Sequence, residues 1–124
     1  MKDKRPVNLD ISTIDLPLAA LTSITHRISG VIVFVGIAIL LWMLDASLAS
    51  EAGFESLGGL ATSFGGKFIL WGVLVALAYH MAAGCKHLLM DIGLGETREA
   101  APKGAKAVIA IGIVVAVALG LWIW

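Results

Sequence analysis

Cysteine is almost absent from this chain. Cys85 stands alone, so no internal disulfide can form, and no Cys-x-x-Cys-His segment offers a covalent cofactor attachment. Net charge is lacking too: nine Lys and Arg balance nine Asp and Glu. With no basic stripe outside the loops, that balance argues against a nucleic-acid surface. The three prolines, Pro6, Pro17 and Pro102, all fall outside the long apolar runs. No internal repeat is visible, and 124 residues read as one compact domain over 1–124.

Apolar residues are what the chain has in excess. They make up 59% of it, with a mean hydropathy of +0.94, against about 45–50% in soluble domains. Three uncharged runs carry the excess: Ile28–Leu44, Phe68–Cys85 and Ala107–Trp124. At about 1.5 Å per residue each reaches roughly 26–27 Å, close to the ~30 Å hydrocarbon core of a bilayer. Flanking residues extend the first two, which predicts transmembrane helices over about 18–46, 65–90 and 105–124. The fold class is therefore an all-α integral membrane protein. A three-helix bundle hides polar chemistry poorly, so a partner membrane subunit is expected to complete it.

Lys2, Lys4 and Arg5 resemble the start of a signal peptide, and Ser47-Leu48-Ala49 resembles a cleavage site. Against cleavage, the first run exceeds the usual 7–15 residues and follows an unusually long leader. Four Lys or Arg precede or open the first span, one lies in the 45–67 loop, and four lie between Lys86 and Lys106. The positive-inside rule then puts the N-terminus and the 86–106 loop in the cytoplasm. Trp42, Trp71, Trp122 and Trp124 all fall at the opposite interface, where amphipathic rings are favoured.

Residues 1–17 read as an extended polar arm on the surface or against a soluble partner. The Gly- and Ser-rich 51–66 segment is expected to hold only a short surface turn, and Glu96–Lys103 to be a charged connector ending at Pro102.

Ionisable groups at membrane depth are costly and mark functional sites. Two clusters meet that description. Ser23, His26 and Arg27 enter the first span; His80 and His87 lie within and at the end of the second. If the spans run antiparallel, both clusters reach the same membrane face.

Gly72, Ala76, His80 and Gly84 recur every fourth residue, a stripe that lets a backbone or a flat ligand approach closely. His80 is then either an axial haem ligand or a histidine bonded to a neighbouring helix. His87 lies about 10 Å further along the same helix, and His26 at the membrane surface, so neither is placed to bind the opposite face of the same iron. His87 suits a haem propionate, a quinone-site proton path or interfacial solvation. Ser23 and Arg27, four residues apart, present a neutral donor and a charged fork on one face, with His26 beside them. That set suits a ligand whose oxygen becomes reduced and protonated; snorkelling to lipid headgroups is the alternative. Asp91 is expected to pair with Lys86, Cys85 to be a small packing residue near the membrane surface, and Gly112, Ala116 and Gly120 to form a packing stripe.

In order, these segments resemble a known family. They are Arg5-Pro6-Val7-Asn8-Leu9-Asp10, the stretch from Ser23 through His26-Arg27 to Gly30, and His80 through Gly84 to Lys86-His87 and Asp91. Together they are similar to the cytochrome b556 anchors of bacterial succinate dehydrogenase, respiratory complex II. The resemblance covers nearly the whole chain.

It implies a multi-pass subunit of the bacterial inner membrane that shares haem b with a second membrane anchor subunit. Iron-sulfur and flavoprotein subunits carrying iron-sulfur clusters and FAD would lie on the cytoplasmic side, and ubiquinone would be the electron acceptor. His80 becomes the axial ligand to the haem iron, and Ser23 and Arg27 line the quinone pocket. His26, Arg27 and His87 surround the haem propionates. Lys86 replaces an arginine frequent in the family and loses its bidentate fork. The competing readings are an anchor of a fumarate reductase and a cofactor-free membrane scaffold or assembly subunit.

Overall fold

The computed structural model describes Asp10, Ser12 and residues 17–124. Four helices follow in order: α1 (Leu18–Ala49), α2 (Glu51–Thr62), α3 (Phe64–Asp91) and α4 (Ala100–Ile123). The arm expected over residues 1–17, apart from Asp10, Ser12 and Pro17, lies outside the described residues.

Helices α1, α3 and α4, of 32, 28 and 24 residues, are long and apolar enough to cross a membrane. At 1.5 Å per residue they exceed the ~30 Å core, so they span it with tilt or with ends beyond it.

The packing is inverted relative to a water-soluble bundle. Among the described residues the buried apolar ones are the small or branched Val73, Ala76, Ala83, Ala105 and Val108, and no large side chain is fully enclosed. Phe34, Leu121 and Trp122 are each 77–80% exposed. In lipid, apolar side chains gain little by hiding from the solvent, and close backbone approach at small residues holds the helices together. Gly36 on α1 shows how close. A Cβ there would stand 2.8 Å from Cγ1 of Val73 on α3.

The central helix is α3, packed antiparallel to both α1 and α4, while α1 and α4 meet more sparsely. Lys86 near the end of α3 reaches Thr22 near the start of α1. At the other end of the bundle Trp71 donates its indole N–H to the Ala116 carbonyl of α4 at 2.8 Å. The rings of Phe64, Phe68, Trp71 and Trp124 gather there, with neighbouring centroids 5.9–6.4 Å apart. Histidines therefore mark one end of the bundle and aromatics the other. Trp42 and Trp122 face outward, whereas half-buried Trp71 ties two helices together rather than serving as an interface anchor alone.

Two connections depart from the sequence expectation. The 51–66 segment is not a simple turn: Glu51–Thr62 forms a twelve-residue helix. Ser50 turns extended and caps it by accepting the Gly53 N–H at 2.9 Å, and Glu51 sits favourably in its first turn. Ser63 serves both neighbours. Its backbone N–H bonds back to Gly59 and Leu60, while its hydroxyl donates to Leu60 O and accepts from Gly66 N. Pro102 likewise does not close the connector but lies in the first turn of α4, where a missing N–H breaks no helical bond. Helix α3 ends at a left-handed Gly93 (φ 88°), with Leu94 N bonded to Leu89 O and Gly93 N to Met90 O, the Schellman pattern.

Adjacent glycines at the α2–α3 corner give a direct test. A Cβ at Gly66 would fall on the Leu60 carbonyl, which is backbone and cannot rotate away, whereas one at Gly65 meets nothing within 4 Å. Gly66→Ala should destabilise by ~3 kcal/mol. Gly65→Ala should be neutral or stabilising by up to about 1 kcal/mol. Thermal unfolding in detergent micelles measures both; equal effects would contradict the corner geometry.

Candidate functional site

Polar residues of α1 recur along the face that meets α3. Thr22 and Ser29 are 3% and 5% exposed, among the most enclosed side chains described. Without water nearby, each hydroxyl satisfies itself on its own helix: Thr22 Oγ1 donates to Ala19 O at 2.9 Å and Ser29 Oγ to His26 O at 2.7 Å.

His80 projects from α3 onto this face. Its Nδ1 lies 3.1 Å from Ser29 Oγ and 3.2 Å from the His26 carbonyl. The tautomer follows from counting hydrogens. The one hydroxyl hydrogen of Ser29 is committed to His26 O, so Ser29 offers His80 a lone pair, and a carbonyl can only accept. Both neighbours of Nδ1 are acceptors, so Nδ1 carries the hydrogen and Nε2 the free lone pair. No hydrogen bond reaches Nε2 among the described residues. A histidine fixed at one nitrogen by a carbonyl, with the other left open, is the arrangement found at protein metal ligands. Gly30 makes room for it, since a Cβ there would stand 3.0 Å from His80 Cε1.

All three histidines gather between α1 and α3. The His26 ring lies against His80 with centroids 4.4 Å apart, and His87 follows at 6.3 Å from His26. No iron fits between His26 and His80 at that separation, because each metal–nitrogen bond alone takes about 2 Å. His87 is outward on the far side of His26, paired at 3.9 Å with Asp91. Nowhere among the described residues do three or more metal-binding side chains converge on a bare-ion site. One protein ligand to a flat macrocycle fits this geometry.

Ser23, His26, Lys86 and His87 line a crevice of about 170 Å³ at this end of the bundle. Arg27, one turn beyond Ser23, is exposed, does not line the crevice and forms no ion pair among the described residues. Ser23 and Arg27 thus share a face of α1, but only Ser23 lines this crevice.

Other expectations are corrected. Asp91 pairs with His87, not Lys86. Lys86 instead lays its methylenes beside Gly104 of α4 and brings Nζ to 3.4 Å from Thr22 Oγ1. Cys85 is exposed rather than packed away, at the edge of a crevice between α3 and α4. The four-residue stripe on α3 does not stay on one face, because four residues turn an ideal helix about 400°, a drift of 40° per step. Gly72 and Ala76 line a groove between α1 and α4, while Gly84 faces His26. Sequence reasoning passed over Thr22, Thr25, Ser29 and Tyr79 as participants. Their signal was there: hydroxyls at helical spacing around His26, and the single tyrosine directly before His80.

Comparison with known proteins agrees with this architecture. Residues 1–119 match the family described as succinate dehydrogenase/fumarate reductase transmembrane subunit. A succinate dehydrogenase cytochrome b556 subunit of Coxiella burnetii is 36% identical over 125 residues, covering 100% of both chains. One from Paracoccus denitrificans is 39% identical over 116 residues, covering 94% of this chain and 89% of the relative. A third, from Rickettsia felis, is 33% identical over 75% of this chain and 72% of its own. This multi-pass membrane protein belongs to the succinate dehydrogenase/fumarate reductase transmembrane subunit family.

Proposed function

We propose that the chain is the haem- and quinone-binding membrane anchor of a bacterial succinate:ubiquinone oxidoreductase. The observation that carries this reading is the state of His80: Nδ1–H held by the His26 carbonyl and Ser29 hydroxyl, Nε2 open. Nε2 is the ligand atom for the iron of haem b, which when bound supplies a one-electron centre in the membrane. His26 is stacked against His80 rather than set to bind alongside it, so any second protein ligand to the haem would come from the companion anchor. The cytochrome b556 names of the relatives agree with this cofactor and with the succinate dehydrogenase assignment.

The histidine end of the bundle faces the cytoplasm, following the Lys and Arg distribution. Iron-sulfur and flavoprotein subunits dock there and deliver electrons drawn from succinate. His26, His87 and Arg27 put polar, protonatable or charged groups around the haem propionates. Ser23 donates its hydroxyl hydrogen to a quinone carbonyl. Arg27, without an ion-pair partner among the described residues, stabilises the negative charge that reduction puts on that oxygen. Protons reach it from the cytoplasm over a short distance. The chain alone catalyses nothing; it completes a pocket whose other walls belong to its partners.

The complex should be purified through a tag on this chain and its reduced-minus-oxidised visible spectrum recorded. A b-type haem signal is expected in the wild type and should vanish in His80→Ala. An intact, folded complex without haem would falsify the reading and leave a cofactor-free scaffold. For the quinone site, Ser23→Ala should slow quinone reduction roughly tenfold, the kinetic equivalent of one lost hydrogen bond of about 1.4 kcal/mol. Haem content should stay unchanged. Normal turnover with lost haem would remove Ser23 from the quinone pocket.

A further inference from the structure

Tyr79 is the residue before His80 on α3, so the two side chains leave the helix about 100° apart. His80 meets α1 beside Ser29; Tyr79 meets the same face of α1 one turn earlier, at Thr25. The tyrosine ring crosses the middle of α4 at Gly112, where a Cβ would stand 2.9 Å from Tyr79 Cδ2. Its hydroxyl is hydrogen-bonded to Thr25 Oγ1. Thr25 Oγ1 also lies 2.9 and 3.1 Å from the carbonyls of Leu21 and Thr22, so the hydroxyl pair is tied to the backbone of α1.

The setting gives this bond its leverage. Between α1 and α4 runs an almost wholly apolar groove of about 560 Å³, with Thr25, Ser29 and Tyr79 among its lining residues. At this level α4 does not press α1 into place by packing. Two consecutive α3 side chains hold one turn of α1 instead: Tyr79 at Thr25, and His80 at Ser29 and the His26 carbonyl. Thr25 and Ser29 lie one turn apart on the same face of α1, and grips at two successive turns of that face hold its rotation and register against α3 more firmly than either alone.

We infer that Tyr79 is a positioning residue for the haem ligand. Its bond to Thr25 sets the rotation of α1, and through it the two acceptors that hold His80 Nδ1. The inference rests on the proposal that His80 binds haem iron. A firm Nδ1–H bond raises the basicity of the ligand and favours the oxidised metal, so loosening it raises the haem midpoint potential.

The test uses the intact complex with four variants of this chain: Tyr79→Phe, Thr25→Val, Thr25→Ser and the double Tyr79→Phe/Thr25→Val. Haem content comes from the visible spectrum. Ligand orientation comes from the low-spin ferric EPR signal, and the midpoint from redox titration. Tyr79→Phe and Thr25→Val should keep the haem, shift the EPR signal and raise the midpoint. The double variant should do no more than either single one, since both remove the same bond. Thr25→Ser, which keeps the hydroxyl, should match the wild type. If Tyr79→Phe fails to assemble, the Val and Ser variants at Thr25 decide alone, because neither alters the contact at Gly112. Unchanged EPR signals and midpoints in assembled variants would overturn the inference, as would a Thr25→Ser shift equal to that of Thr25→Val. A wild-type complex without haem would overturn the parent reading instead.

Discussion

The grip of α1 on the Nδ1 edge of His80 is the interaction on which the site depends. In hydrocarbon an imidazole N–H has no water to turn to, and leaving it unpaired costs several kcal/mol. One turn of α1 supplies everything needed: the carbonyl of His26, the hydroxyl of Ser29 and the missing side chain of Gly30. Rotating or sliding α1 by one residue would lose all three at once. The helix pairing and the chemistry of the histidine are thus one constraint, which also presents Ser23 and Arg27 on the adjoining face.

The rest of the packing is consistent with that demand. Alanines, glycines and valines bring the backbones near enough for short polar side chains to reach across, as at Gly36 with Val73 and Gly112 with Tyr79. A core of leucine and phenylalanine would hold the helices too far apart for Ser29 to touch His80. The large apolar residues are therefore outside, in contact with lipid or a partner, and the polar ones are near the helix interfaces. The buried Thr22 and Ser29 hydroxyls donate to their own helix and still accept from another, which serves local and interhelical needs with one group.

Much of this was legible in the sequence, and for identifiable reasons. Three uncharged runs of membrane-spanning length leave little choice of fold, and His80 in the middle of one announces itself by cost alone. The proximity of His26 to His80 was not legible. The sequence brought both clusters to one membrane face but set His26 at the surface and His80 deeper; side chains angled across the α1–α3 interface bring the rings into contact. The helix at Glu51–Thr62 was hidden by its four Gly and Ser residues, which favour turns in isolation. Its caps and its packing on α1 and α3 outweigh that preference. The small-residue stripe misled for a geometric reason, since a period of four is not the 3.6 of the helix and the faces part within two turns. Tyr79 illustrates a further limit. Its adjacency to His80 is plain in the sequence, but its hold on Thr25 exists only once α4 offers Gly112 as a floor.

Ser63 carries an evolutionary consequence. One residue both terminates α2 and starts α3, with Gly66 folded tightly against Leu60. A codon inserted or deleted there would divide the two capping roles and change the phase of every later residue on α3 against α1, His80 included. The loop between α3 and α4 bears no such double duty: it leaves α3 at left-handed Gly93 and passes through an exposed segment before Ala100. Length variation among descendants of this fold should therefore accumulate between Gly93 and Ala100 and be purged at the α2–α3 corner, a bias that a gapped alignment of many relatives would reveal without any structure.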